Sequence, residues 1–224
     1  MCVAEGGAIA TIPAGIDFRD AVVCEGAFYA YGILKRLRLG PGHKIMIYGA
    51  SGAIGTAAVQ LAKAMGAEVT AVVPTRHLAL LKSIGADEVI DYTAGDFTKA
   101  GPRKTRARFD FVLDAVGKTS FFTCRRVLKP RGVFAVTDVG PYWQNLPLGL
   151  WSWITGSGRI VLPVPTRGSA REFIDFLRAL IERGQFRAVI DRSYKLDDIA
   201  EAYRYVETGQ KAGIVVIEVI GAEV

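Results

Sequence analysis

The residues whose spacing suggests chemistry are Gly49, Gly52 and Gly55, inside the stretch KIMIYGASGAIGTAAVQLAKAMGAEVTAVV. The apolar run KIMIYG reads as a buried parallel strand. Residues 56–65 repeat at helical period, with Ala58, Leu61, Ala62 and Met65 on one face; Gly66 stops that helix, and AEVTAVV is a second buried strand. Glycines at a strand-to-helix turn let the chain turn tightly and let a pyrophosphate approach bare backbone. The helix then offers its first N–H groups to the anion. A GxxGxxG alone is a weak signal, but inside a βαβ unit it reads as dinucleotide binding. The competing reading is a turn whose glycines serve only helix–strand packing.

The end of the second strand bears on which dinucleotide. An NAD site usually places an acid there for the ribose 2′-hydroxyl. Residues 72–77, VVPTRH, contain no acid, and Glu68 sits at the other end of the strand. Thr75 and Arg76 can hydrogen-bond and neutralise a 2′-phosphate, Arg with its planar fork. The stretch favours NADP(H) over NAD(H); the bland alternative makes Arg76 a solvated first-turn residue.

The elements that must position these residues follow in order. Residues 2–13, CVAEGGAIATIP, resemble a strand and a turn, 14–20 a loop, and 21–39 a helix that leads through GPGHK into the first strand. After the βαβ unit come a helix at 78–84 closed by Gly85, a strand EVID, a strand FDFVLDA, a helix at 118–128, a turn KPRG and a strand VFAVTDV. GRIVLPV is a sixth strand, and Pro163 suits it to a sheet edge because proline donates no ladder bond. Ser169 with Glu172 forms a capping box, and the helix behind it carries Phe173, Phe176, Leu177, Leu180 and Ile181 on one face. This alternation predicts an α/β fold with a doubly wound parallel sheet of the Rossmann type. Trp143, Trp151 and Trp153 lie between strands five and six, either as a substrate or partner surface or in a helix packed on the sheet end. In the tail, 188–194 is a strand, 197–208 a helix with Ile199, Ala202, Tyr203 and Val206 inward, and 213–220 a strand. Coming after a complete sheet, the two strands belong to another layer.

Composition limits the alternatives. A chain of 224 residues makes one large or two small domains. No uninterrupted apolar run reaches a membrane span, and the start MCVAEGG does not read as a signal peptide. Cys2, Cys24 and Cys124 are odd in number and scattered, which argues for a reducing cytoplasm and against a disulfide framework. Only His43 and His77 are present, without a CxxC, which argues against zinc. The net charge of +6 is concentrated in KAGPRKTRAR at 99–108. That stretch has no interleaved aromatics and contains Gly and Pro, so it reads as a solvated loop and not as a nucleic-acid site.

GASGAIGTAAVQLAKAMGAEVTAV, IGADEVIDYTAGDF, FDFVLDAVGKTSF, RRVLKPRGVFAV and YRYVETGQKAGIVVIEV resemble the medium-chain dehydrogenase/reductase superfamily, specifically its zinc-independent quinone oxidoreductase (zeta-crystallin-like) branch. The resemblance runs through essentially the whole chain. It implies that 1–43 are the remnant and exit of a largely absent barrel-like catalytic domain with a lead-in helix. Residues 44–185 would be the NADP-binding Rossmann domain, and 186–224 a strand–helix–strand returning toward the absent domain. By the same resemblance Ser51, Gly52, Ala53 and Ile54 lie on the pyrophosphate, and Thr75, Arg76 and His77 face the 2′-phosphate. Tyr92 lies near the adenosine, Ala115, Val116 and Gly117 near the nicotinamide ribose, and Thr137, Asp138 and Val139 further along that edge.

Two departures stand out. Ala53 replaces a frequent family glycine. Glu25 lies near a zinc-ligand position whose partner ligands would come from the absent domain, so no metal is expected. The implied chemistry is hydride transfer from NADPH to a small quinone, enone or carbonyl substrate. No catalytic residue is assigned; Tyr29 and Tyr31 qualify by type only. The alternative is a non-catalytic NADP(H)-binding module or redox sensor. A homodimer is expected, through the sixth strand and an unpaired GIVVIEVI, with Trp151 and Trp153 adding apolar surface.

Overall fold

Along the central strands, alternate residues enter different cores. Ile45 and Ile47, Val69, Ala71 and Val73, Phe111 and Leu113, and Ala135 pack on one face of a sheet. Met46, Val72, Val112, and Phe134 with Val136 pack on the other. A strand covered on both faces by this period of two has to lie between two helical layers. The computed structural model describes residues 11–12, 14, 16–99, 108–138, 140, 143, 145–155, 159–162 and 170–219.

The elements are α1 (Phe18–Ala21), α2 (Cys24–Arg36), β1 (Lys44–Tyr48), α3 (Ala53–Ala64), β2 (Glu68–Val73), α4 (Leu78–Ser83), β3 (Glu88–Asp91), β4 (Phe109–Asp114), α5 (Phe121–Cys124), β5 (Leu128–Val136), α6 (Asn145–Ile154), β6 (Ile160–Val161), α7 (Ala170–Glu182), β7 (Ile190–Lys195), α8 (Ile199–Glu207) and β8 (Ile214–Glu218). β1 to β6 form one sheet in the order β3-β2-β1-β4-β5-β6, and every pairing in it is parallel. This is the doubly wound Rossmann arrangement expected from the sequence. The order reverses between β1 and β4, so the crevice for a ligand opens beyond the carboxyl ends of those strands.

α3 shows why the glycine-rich stretch folds as it does. Its small residues allow close packing, and Gly55 through Ala62 are all buried. It ends in a Schellman motif: Gly66 has φ 85°, its N–H donates to the Lys63 carbonyl at 2.9 Å, and the Ala67 N–H reaches the Ala62 carbonyl at 3.1 Å.

Several expectations need correction. The helix expected at 21–39 is α2, and the segment expected as a loop at 14–20 holds the short α1, capped by Asp17, whose Oδ1 accepts the Arg19 N–H at 2.9 Å. The helix expected at 118–128 shrinks to α5, because 115–119 is drawn into a loop under the β4 end. KPRG is not a free turn but a bulge within β5: Phe109 pairs with Leu128, and Phe111 already with Val133. On α7, Phe173, Leu177 and Leu180 are buried as expected. Glu172 accepts from Tyr31 Oη at 3.1 Å and Lys35 Nζ at 2.6 Å; Ser169 lies outside the described residues, as do Pro163, residues 100–107 of the basic stretch and nearly all of 1–15.

The tail strands do form a separate sheet, in which β7 and β8 pair in parallel. GIVVIEVI is therefore not unpaired over its described residues. On α8, Ala202 is buried, while Ile199 and Tyr203 face outward, the latter 67% exposed. The tail is fastened to the main sheet's helical layer: Gln60 of α3, buried, donates to the Arg187 carbonyl at 3.0 Å and accepts the Arg187 N–H at 2.9 Å.

Candidate functional site

The three glycines do three different jobs. Gly49 has φ 71°, and a Cβ built there would lie 2.6 Å from Val116 Cγ2. Gly55 lies so near the preceding turn that a Cβ would sit 2.6 Å from Ala50 Cα, so it serves helix–strand packing. Gly52 is the N-cap of α3, and a Cβ there would meet nothing nearer than the Gly49 carbonyl oxygen at 3.7 Å. Gly52 therefore leaves open space where a phosphate can approach bare backbone at a helix N-terminus. The packing reading accounts for Gly55 and leaves Gly52 unexplained.

A cavity of about 330 Å³ opens over this turn. Gly49, Ser51, Gly52, Ala53 and Ile54 form its floor; Arg76 and Tyr92 stand on the β2–β3 side, and Ala115 and Val116 on the β4 side. Nine of the sixteen residues singled out from the sequence thus meet in one groove. Gly55 lies beneath it. Gly117, φ 67°, turns the loop behind it, and a Cβ there would lie 2.7 Å from Asp138 Cβ.

Four of the remaining residues do not line the groove. His77 is buried and does not line the groove: its Nε2 accepts from Arg76 Nε at 3.1 Å. Burial first and then Arg76 lower its pKa, and it also meets the Gln210 backbone. Thr75 does not line the groove either; its hydroxyl bonds Asp91 and lies 2.9 Å from Thr93 Oγ1. Thr137 donates to the Asp114 carbonyl, at 3.1 Å from N and 3.3 Å from Oγ1. Asp138 is exposed behind Gly117. Val139 lies outside the described residues.

Sequence reasoning missed six lining residues: Tyr48, Pro74, Lys118, Val206, Gly209 and Lys211. Tyr48 supports Tyr92, with ring centroids 5.8 Å apart, and Phe97 backs it at 5.0 Å. Lys211 comes from the tail. Its Nζ donates to the Gly213 carbonyl at 2.6 Å, and burial lowers its pKa. Gly213 N–H in turn donates to the Ser51 carbonyl at 2.6 Å, and Gly52 and Gly213 form a parallel bridge. The tail therefore walls the phosphate turn directly. Among the lining residues three are cations, Arg76, Lys118 and Lys211, and none carries a carboxylate. A groove with that balance over a helix N-terminus suits a ligand with several phosphate charges.

One acid stands nearby. Asp91, at the end of β3, accepts from Thr75 and from Thr93 Oγ1 at 2.6 Å, and those bonds, Thr75 first, lower its pKa. The other notable titratable groups lie beneath the groove. Asp114 is buried, and burial raises its pKa. Burial pushes the Cys124 thiol up to about 12. Glu25 is exposed at the start of α2, and among the described residues no group of three His, Cys, Asp or Glu gathers.

A doubly wound parallel sheet with this turn and groove defines the Rossmann dinucleotide-binding class. Comparison with known proteins narrows it: residues 84–217 match the family model described as zinc-binding dehydrogenase. The chain belongs to that family, within the medium-chain dehydrogenase/reductase superfamily. It is 33% identical over 197 residues to the mitochondrial NAD(P)H oxidoreductase RTN4IP1 of Mus musculus, covering 80% of this chain and 48% of that protein. It is 31% identical over 217 residues to the 2-methylene-furan-3-one reductase of Solanum lycopersicum, covering 95% and 50%. The quinone oxidoreductase of Coxiella burnetii superposes with a TM-score of 0.74 at 25% identity, over 87% of this chain and 58% of that one. The chain spans about half the length of the curated relatives it matches.

The expectation of a cytoplasmic location is overturned here. The RTN4IP1 relatives from Mus musculus, Danio rerio, Bos taurus and Homo sapiens are all named as mitochondrial. Scattered cysteines report reducing conditions, which are not an address.

Proposed function

We propose that this chain carries the cofactor site of an NADPH-dependent reductase that transfers hydride to a small quinone, enone or carbonyl compound. The observation that carries the reading is the groove itself, with an open Gly52 at the α3 N-terminus, three cationic side chains and no carboxylate in its lining. The nicotinamide supplies the hydride when bound. The chain's own residues bind and orient: the turn 49–54 and Lys211 at the pyrophosphate, Arg76 at the 2′-phosphate, Tyr92 over Tyr48 at the adenosine, and 115–117 at the nicotinamide ribose. The names of the relatives, an NAD(P)H oxidoreductase and two reductases of conjugated or quinone-like compounds, support this substrate class. The proposed division is a lead-in segment 1–43, a cofactor domain 44–185 and a returning tail 186–224.

NADP(H) over NAD(H) is the finer part of the proposal. Arg76 supports it; Asp91 weighs against it, although its oxygens are engaged by Thr75 and Thr93. Calorimetric titration decides. NADPH is expected to bind more tightly than NADH, and Arg76→Ala to remove about 1.5–3 kcal/mol from NADPH binding while sparing NADH. Equal wild-type affinities overturn the NADP reading. Loss of NADPH absorbance with a quinone, an enone or an aldehyde supports turnover; tight binding with no acceptor reduced supports a binding module instead.

We also propose self-association through the β6 edge and the outer face of α6. The inner face of α6 packs on the sheet, where Ser152 Oγ accepts the Ile160 N–H at 3.2 Å. Its outer face exposes Leu146, Leu150, Trp151 and Ile154. Light scattering at micromolar concentration tests this, with a dimer expected and Trp151→Glu shifting it toward monomer.

A further inference from the structure

We propose that Asp114 is a positioning residue for the nicotinamide end of the groove: its carboxylate gathers the loop after β4 and holds Val116 against the glycine turn. The inference rests on the cofactor reading above. Asp114 does not itself line the groove; Ala115, Val116 and Lys118 do. It is fully buried at the last position of β4. A buried carboxylate is costly unless its oxygens are satisfied, and here backbone satisfies them. The Val116 N–H donates to Oδ1 at 3.1 Å and the Thr119 N–H to Oδ2 at 2.8 Å. The N–H groups of Gly117 and Lys118 also favour the charged form.

The main chain of the same residue joins neighbouring strand ends. Its carbonyl accepts from Thr137, just past β5, while the next N–H, of Ala115, donates to the Tyr48 carbonyl at the end of β1 at 3.0 Å. Three strand ends therefore meet at one residue. The consequence falls on Val116, whose two methyls stand 2.6 and 2.7 Å from where a Gly49 Cβ would be. The phosphate turn and the nicotinamide loop are thereby braced against each other. An amide in place of the carboxylate would offer one acceptor oxygen and turn an NH₂ group toward N–H donors, so the loop would open while the β2–β3 side of the groove stayed intact.

The test compares two ligands. NADPH and 2′,5′-ADP, which lacks the nicotinamide half, are titrated by calorimetry into the wild-type chain and Asp114→Asn. NADPH is expected to weaken by about tenfold, with 2′,5′-ADP changed by no more than about twofold. A general structural loss would weaken both alike, and equal weakening, or none, overturns the inference. A wild-type chain that binds neither NADPH nor NADH overturns the cofactor reading itself. If Asp114→Asn does not fold, amide exchange on the cofactor-free wild type decides: protected Val116 and Thr119 N–H groups support the brace, and exchange at open-loop rates overturns it.

Discussion

The two sheets of this molecule are held in different ways. In the six-stranded sheet Ile45, Met46, Ile47, Val69, Val72 and Leu113 have no exposure at all, and helices cover both faces. In the two-stranded sheet Val216 is the buried member of β8, and β7 exposes Arg192, Ser193 and Lys195. An isolated pair of strands is marginal in water. This pair persists through a few specific ties: Gln60 to Arg187, Gly213 to Ser51, and the Ala212 N–H to Asp191 Oδ1 at 3.2 Å. Yet the tail end contributes Val206, Gly209 and Lys211 to the groove. The site is thus built mostly on the best-packed part of the chain and, at these three residues, on a part that depends on docking.

The largest expected effect is in the first sheet. Leu113→Ala should cost about 2–5 kcal/mol of global stability, read by denaturant unfolding; a loss below about 1 kcal/mol would deny the contrast. Gly213→Ala comes next. Its φ of 68° and the contact of an added Cβ with the Val189 carbonyl make the substitution strained. It should cost about 1–3 kcal/mol, confined to the tail. Hydrogen exchange should show β7 and β8 amides losing protection while β1, β2 and β4 keep theirs; joint loss in both sheets would make them a single unit.

Lys211→Ala should weaken NADPH and NADH alike, by about 1 kcal/mol, because the tail walls the glycine turn proposed for the pyrophosphate. A selective loss of NADPH would move Lys211 to the 2′-phosphate and sharpen the division of labour with Arg76. The smallest effect is on pH dependence. Burial raises the Asp114 pKa above its ordinary 3.8, so the proton-linked part of its contribution to stability, separate from the hydrogen bonds of the brace, is fully present below that value. It is lost as pH rises through the raised folded value. The wild type minus Asp114→Asn difference should fall over that interval and be flat above it, as measured by unfolding at stepped pH.

The features legible in the sequence were those set by neighbours along the chain. The GxxGxxG turn, the apolar strands and the helix 56–65 each carry a local period or a glycine stop, and their parallel order followed from alternation. The tail's separation was legible because two strands were left over. What escaped depended on contacts distant in sequence. Nothing around Lys211 announces a place in the groove until Gly213, just before β8, bridges Gly52. His77 reads as a phosphate ligand beside Arg76 until burial and the Gln210 backbone turn it inward. The 118–128 segment has helical composition, but the Asp114 carboxylate competes for its first N–H groups. KPRG looks like a turn, but it is absorbed as a bulge within a paired strand.

The two hydrogen bonds between Gln60 and Arg187 span 127 residues of chain. During synthesis at about 5–20 residues per second, the α3 segment emerges roughly 6–25 s before its partner. Through that interval the side-chain amide of Gln60 has water where Arg187 will later sit, and the phosphate turn lacks its tail wall. The nascent chain can assemble β1, α3 and β2 early, but the complete groove becomes available only after residues 206–213 have been made. On the proposed cofactor reading, a dinucleotide meets the complete groove only after the tail has docked.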